Sequence, residues 1–523
     1  MTYTSFEFFI IFFGATFLLY TLAPIKYKKY ALLLGSAFFY FVATRGHIFA
    51  LIASALLTWL AGLLIQKQND EFAAKKKLVE KPERKALKAK YNKRKGLICT
   101  AGVILNLAIL LVLKYSNFFV STFGAICRIE VPELSFIQPL GISFYTLQAV
   151  SYVVDVNRGK YKAGKNPLDI FLYLSFMLTI VEGPVARYDQ LGTQLTGGKK
   201  LCFKDLQKGF MLIVWGLFKK IVVADRAAEF VNNVFDNPNK YTGVVVIAGI
   251  LFYTLQLYCE FSGVMDVVTG LGELMGIKLP ENFSRPFFAK SINEFWQRWH
   301  ITLGAFLRDY IFYSISLSKP FMKLTKSARK RFNPYYANLI PTAFALFFVW
   351  FANGFWHGSG WKYIVYGLYY YVLMMLALFM EPLFEKLCKS LKINREAKPY
   401  ALFQMLRTFI IVNIGMLIFR ADSLKAAFTM LLSIPQLNLG ALKPGSGNGL
   451  GLDLKDYAIL VIGTGIVFIV GLLREKKIDI RERLYKLPFI VKFIGYLIAA
   501  LMIIILGAYG DNYGVVDLIY ANF

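Results

Sequence analysis

The chain has 523 residues, 57% of them hydrophobic and 16% aromatic, and a formal charge of +28 at pH 7. A soluble domain of this length would carry more charge and shorter apolar runs. The charge is no nucleic-acid signal either, because the bases lie in loops between apolar runs, the positive-inside pattern of a membrane protein, with no basic tail and no RNA-binding aromatic motif.

A helix needs about 20 residues to cross a hydrocarbon core of roughly 30 Å. Apolar runs of that order recur at 5–24, 47–65, 97–113, 208–224, 339–357, 361–381, 457–473 and 487–507. The first, TSFEFFIIFFGATFLLYTLAP, lacks a basic leader and a small-residue cleavage site, so it reads as a span and not as a removed signal peptide. Residues 66–96 hold twelve Lys/Arg against four acids and form a solvated, partly helical, cytoplasmic loop that touches anionic lipid. The run 141–159 is punctuated by Gln148, Tyr152 and Asp155; polar groups are costly in hydrocarbon, so these face the protein interior or a wet cavity. Residues 168–186 and 301–317 are apolar with basic flanks on both sides. They are expected to be re-entrant or interfacial, which is tolerated where protein covers the backbone. The loops at 225–242 and 421–456 are less basic and fall outside; the segments from Lys319 to Arg331, 386–398 and 474–486 are basic and fall inside. The expectation is an all-α polytopic membrane protein with about eleven or twelve crossings, re-entrant segments and both termini outside the cytoplasm. The whole of 1–523 is one transmembrane domain, with an extracytoplasmic tail at 508–523. No repeat typical of inverted-repeat transporters is evident.

Five scattered cysteines without a CxxC pair, and only three distant histidines, offer neither a disulfide framework nor a metal site. His47 follows TRG just outside the second span, an ordinary interfacial place. His357 lies in WFANGFWHGSGW; taken alone this fits an interfacial aromatic belt, but Gly354, Gly358 and Gly360 leave room for close approach of backbone or ligand. Alternation of the spans turns His357 outward, whereas His300, in EFWQRWHITLGAFLRDY, stands beside the cytoplasmic face. Histidine titrates near neutral pH and can take a proton from a hydroxyl. Two such groups approaching from opposite sides suit an enzyme that takes a donor from one side and an acceptor from the other.

Several segments in order resemble one family: QPLGISFYTLQAVSYVVDVNRG (138–159), VEGPVARYDQL (181–191), GLFKKIVVADR (216–226), YTLQLYCEFSGVMDVVTGL (253–271), LPENFSRPFFAKSINEFWQRWHITLGAFLRDYIF (279–312), NGFWHGSGWKYIVYGLYY (353–370) and FRADSLKAA (419–427). Together they resemble the membrane-bound O-acyltransferases, in the bacterial branch of alginate O-acetylation and teichoic acid D-alanylation. The sequence departs from the alginate pattern in having IFYSISLSKPF after its RDY and GLYYYV, without a histidine, in the second block. The resemblance implies a ring of helices around a central funnel, with His357 as the main catalytic histidine and His300 its partner. It also implies that Trp296, Trp299, Arg298, Asn353, Trp356 and Gln148 line the tunnel or bind substrate. Arg298, Arg308 and Asp309 read in the first place as structural, a buried ion pair or helix-end contacts, and Glu260, Ser262 and Asp266 as pocket lining or packing rather than proton-transfer groups. The implied activity moves a small acyl group, acetyl first and D-alanyl as the alternative, from a cytosolic thioester toward hydroxyls of an extracytoplasmic cell-wall or exopolysaccharide polymer. The donor is acetyl-CoA or an acyl carrier protein thioester, with no bound cofactor and no metal. The partner is an extracytoplasmic transferase of SGNH-hydrolase type. The tail LIYANF (518–523) is similar to the FxYxxF ending of some relatives; this implies Tyr520 as an acyl carrier, anchored by Leu518 and Phe523. A transporter of an acylated carrier, without catalysis, is the rival reading.

Overall fold

The computed structural model describes residues 3–436 and 450–509. Among these the secondary structure is helical apart from one isolated antiparallel bridge, as expected for a polytopic membrane protein. The helices that frame the fold and the site are α1 (Phe49–Lys76), α2 (Glu83–Cys127), α3 (Ile142–Arg158), α4 (Val244–Leu274), α5 (Ile292–Arg298), α6 (Ile301–Phe306), α7 (Pro334–His357), α8 (Trp361–Ser390), α9 (Lys398–Arg420), α10 (Leu454–Glu475) and α11 (Phe489–Leu506). Among the described residues, eight helices are long and apolar enough to cross a membrane: α1, α2, α4, α7, α8, α9, α10 and α11. Two further apolar runs lie in helices that contain π-helical stretches. Residues 5–24 form a π-helical stretch, Phe8–Gly14, followed by a short helix, Ala15–Leu22. The run 208–224 passes through a second π-helical stretch, Phe218–Ala224.

The chain forms two compact units, one of residues 1–210 and 268–280, the other of 211–267 and 281–523. In the first, α1 and α2 continue well past their apolar parts, because the Ala-, Lys- and Glu-rich sequence between them is made of good helix formers. The expected 66–96 loop therefore shrinks to a turn between Lys76 and Glu83. α3 is buried along most of its length, and its polar residues face protein as expected. Tyr152 Oη accepts from the Gly164 N–H at 2.8 Å, Lys160 stands 3.4 Å from Asp155, and Gln148 Nε2 donates to the Ala186 carbonyl at 3.4 Å. Residues 168–186 do not form a spanning helix. A nine-residue helix, Pro167–Ser175, gives way to irregular buried chain. Buried irregular backbone needs side-chain partners. Ser36 Oγ accepts from Met177 N, Tyr3 Oη accepts from Val181 N and donates to Met177 O, and Tyr173 Oη donates to Ala186 O.

In the second unit, the π-helical stretch buries Lys219 and Lys220 against α4. Lys219 Nζ lies 2.7 Å from Asp266 and donates to Ser262 Oγ at 2.8 Å; Lys220 Nζ lies 2.5 Å from Asp225 and 3.5 Å from Glu260. Buried charges persist where they are paired. The polar residues of CEFSGVMD thus bind α4 to its neighbouring helix. Gly216 and Gly263 let the backbones of the two helices approach.

Candidate active site

α7 starts at an Asn333 cap, whose Oδ1 accepts from Tyr336 N at 3.0 Å, with Pro334 at the first helical position. It ends at His357 because Gly358 is extended and Ser-Gly follows before α8 begins at Trp361. The glycines around His357 serve the hairpin and not an open space. A Cβ on Gly354 would strike the Tyr363 carbonyl, one on Gly367 the Trp350 carbonyl, and one on Gly358 the Tyr363 ring. α7 and α8 therefore pack backbone to backbone, and His357 is left 3% exposed. Its ring is enclosed edge-on by Trp356 at 5.0 Å, Phe419 of α9 at 5.3 Å and Tyr366 of α8 at 5.9 Å between centroids.

His300 is positioned by a different device. Phe283 and Trp299 form the antiparallel bridge; Ser284 N donates to Arg298 O and Ile301 N to Asn282 O. Between α5 and α6, His300 takes a left-handed conformation, with φ 48° and ψ 50°. Few residues other than glycine adopt it, histidine more often than most, and such backbone costs of order 1–3 kcal/mol unless the surroundings hold it. Asn282 holds it: its Oδ1 lies 3.2 Å from His300 Nδ1, 3.0 Å from Thr302 N and 2.9 Å from Thr302 Oγ1. Phe261 of α4 stands edge-on to the imidazole at 4.9 Å. Burial pushes the His300 imidazole down to about 3, so it is neutral at physiological pH.

Trp356 links the two histidines, its ring 5.0 Å from His357 and 5.6 Å from His300. Trp296 adjoins the same cluster, packed on Tyr370, Trp350 and Tyr366 at 4.9, 5.2 and 6.3 Å. Asn353, one turn before His357, is buried, and neither its Oδ1 nor Trp296 Nε1 has a hydrogen-bond partner among the described residues. Trp299 packs instead on Phe283, Phe295 and Tyr258. Arg298 is engaged with Glu294 at 2.7 Å and Glu475 at 3.1 Å, tying α5 to the end of α10. Arg308 and Asp309 pair at 2.9 Å, with Arg308 more than half exposed, so that pair is not a buried one. Gln148 belongs to the first unit. His47 is exposed, with Nδ1 2.8 Å from its own turn at Thr44 O. Tyr520, Leu518 and Phe523 lie outside the described residues. Reading from sequence missed Asn282, Phe261, Tyr366 and Phe419. Asn282 was visible only as a polar residue in LPENF, and nothing in its 18-residue separation from His300 announces the contact.

Two buried imidazoles in contact with one indole, walled by aromatic rings, bring two potential proton acceptors into one apolar enclosure. The profile of the membrane-bound O-acyltransferase family matches residues 163–412, which contain both histidines. The chain is 31% identical to a probable alginate O-acetylase of Pseudomonas putida, over 69% of this chain and 70% of that protein. This chain belongs to the membrane-bound O-acyltransferase family. Other similar members are a peptidoglycan O-acetyltransferase of Helicobacter pylori, 28% identical over 79% of this chain and 74% of that one, and a teichoic acid D-alanyltransferase of Bacillus subtilis, 31% identical over 50% and 65%. The alignments span about two thirds of the length of several probable alginate O-acetylases. As a membrane-bound O-acyltransferase, the protein is a multi-pass membrane enzyme of acyl transfer.

Proposed function

We propose that this acyltransferase carries a small acyl group, acetyl, from a cytosolic thioester toward hydroxyls of an extracytoplasmic cell-wall or exopolysaccharide polymer. The observation that carries this reading is the contact of both His357 and His300 with Trp356 in one aromatic enclosure. His357 takes the proton of the attacking hydroxyl while the oxygen adds to the thioester carbonyl. Collapse of the adduct expels the thiolate, which leaves with the proton. Histidine-assisted proton removal is worth about 10²–10⁴-fold in rate. His300, neutral and fixed, orients and polarises.

Acetyl is preferred to D-alanyl because the O-acetylating relatives align over more of the chain than the D-alanyltransferase does. The donor is acetyl-CoA or an acyl carrier protein thioester. The enzyme sits in the bacterial cytoplasmic membrane with both termini outside, and the receiving partner is an extracytoplasmic transferase. In this reading Tyr520 is an intermediate acceptor: a phenol near pKa 10 becomes a nucleophile only when a base takes its proton, and His357 is that base. Purified protein in detergent with a labelled thioester tests the reaction class. Release of free thiol or label on the protein, without any membrane gradient, supports the enzyme; neither event would leave a carrier that only transports. Tyr520→Phe removes one hydroxyl, and it should abolish polymer acylation at unchanged abundance. Normal acylation by that variant would mean that the polymer or its transferase reaches His357 directly.

A further inference from the structure

We infer that Asn282 is the positioning residue of the site: it fixes the tautomer of His300, so that Nε2 is the nitrogen that accepts. This rests on the reading of His300 as part of the reacting pair. Three contacts converge on one oxygen, Asn282 Oδ1: Thr302 N at 3.0 Å, Thr302 Oγ1 at 2.9 Å and His300 Nδ1 at 3.2 Å. A backbone N–H can only donate, so the Asn282 amide must present its oxygen to Thr302 and cannot be turned round. Its nitrogen then faces Met265 Sδ at 3.3 Å, a weak acceptor, which agrees with that orientation. An amide oxygen only accepts, so His300 Nδ1 carries the proton. Neutral imidazole has one N–H, which leaves the lone pair on Nε2.

The backbone reinforces the choice. The left-handed turn at His300 and the Ile301 N–H donating to Asn282 O at 3.0 Å tie the two residues at main chain and side chain alike. The side chains against the His300 ring include Asn282, Phe261 of α4 and Trp356 of α7, none of them charged. A neutral imidazole of fixed tautomer in such surroundings acts as a hydrogen-bond acceptor toward the reacting hydroxyl or toward the group that His357 works on. It stores no proton. Asn282 itself touches no reactant.

The experiment is a double-mutant cycle on the full-length purified protein, with thioester turnover and thermal midpoint both measured. Asn282→Ala should lower turnover about a hundredfold, mostly in kcat with little change in KM, and should add little further loss in the His300→Ala background. Because Asn282 also anchors Thr302, Asn282→Asp is the second variant. A carboxylate keeps the acceptor and the shape but favours the imidazolium, whose Nε2 then donates. That variant should be folded and should gain an acidic fall-off in its pH–rate profile between pH 5 and 7 that disappears with His300→Ala. Additive effects of Asn282→Ala and His300→Ala on turnover and midpoint, or a wild-type pH profile in Asn282→Asp, would overturn the inference while leaving the acyltransferase reading intact. If wild-type protein turns over no thioester, that reading fails, and coupling of the two residues in the thermal midpoint still decides whether Asn282 holds His300.

Discussion

At the scale of the residue, the two histidines are buried alike but held differently. His357 ends α7 among the rings of Trp356, Tyr366 and Phe419, whereas His300 is fixed by one amide oxygen in a left-handed turn. His357→Ala should lower polymer acylation by about 10²–10⁴-fold without loss of protein from the membrane, read by labelled polymer and immunoblot together. His300→Ala should slow transfer by less and leave donor binding detectable. The pH dependence follows from the depressed His300 value. The unfolded chain takes up a proton near pH 6.5, while the folded one refuses it until about pH 3. The stability contributed by the buried neutral ring is therefore complete above pH 6.5 and is lost as pH falls toward 3. Between pH 6.5 and pH 5 this is about 2 kcal/mol. Thermal midpoints at pH 7 and pH 5 should differ less in His300→Ala than in the wild type.

At the scale of the element, two close crossings determine where the site can be. The α7–α8 hairpin depends on Gly354 and Gly367, each facing a carbonyl of the opposite helix. Gly367→Leu forces the helices apart, and overpacking of this kind costs typically 1–3 kcal/mol. Its expected signature is a lowered thermal midpoint together with lost turnover, since Tyr366 and Tyr370 lie on the displaced helix. The second crossing is the π-helical stretch against α4, with Lys220 between Asp225 and Glu260. Removing one partner of a buried pair leaves an uncompensated charge, at a cost of about 3–5 kcal/mol. Lys220→Met should therefore lower the midpoint more than Lys389→Met, whose ion pair with Glu385 lies on the surface and is worth little. Equal losses would show that the buried pair contributes no more than the exposed one.

At the scale of the whole molecule, transfer from a cytosolic donor to an outer acceptor requires that the Lys319–Arg331 segment and the His357 turn approach opposite faces of the membrane. Ser327 is exposed on the basic helix Lys319–Ala328. Ser327→Cys should resist an impermeant thiol reagent applied to intact cells and react once the membrane is opened. Labelling from outside would reverse the orientation and remove the cross-membrane route.

The sequence by itself determined the membrane class, six of the eight long apolar helices among the described residues, and the family, and it singled out the two histidines. Each of these is local, since hydropathy sums over neighbouring residues and a motif is a string. It also foresaw that α3 would bury Gln148, Tyr152 and Asp155, because the cost of a polar group in hydrocarbon follows from its position in an apolar run. Only the tertiary structure decided what the glycines near His357 do, because whether a missing Cβ admits a ligand or a neighbouring helix depends on what stands opposite. Only it brought His300 against Trp356 and Asn282 onto His300. Those contacts depend on how α4, α5, α7 and α9 cross, and crossing is set by side-chain packing between helices, which no spacing along one chain encodes.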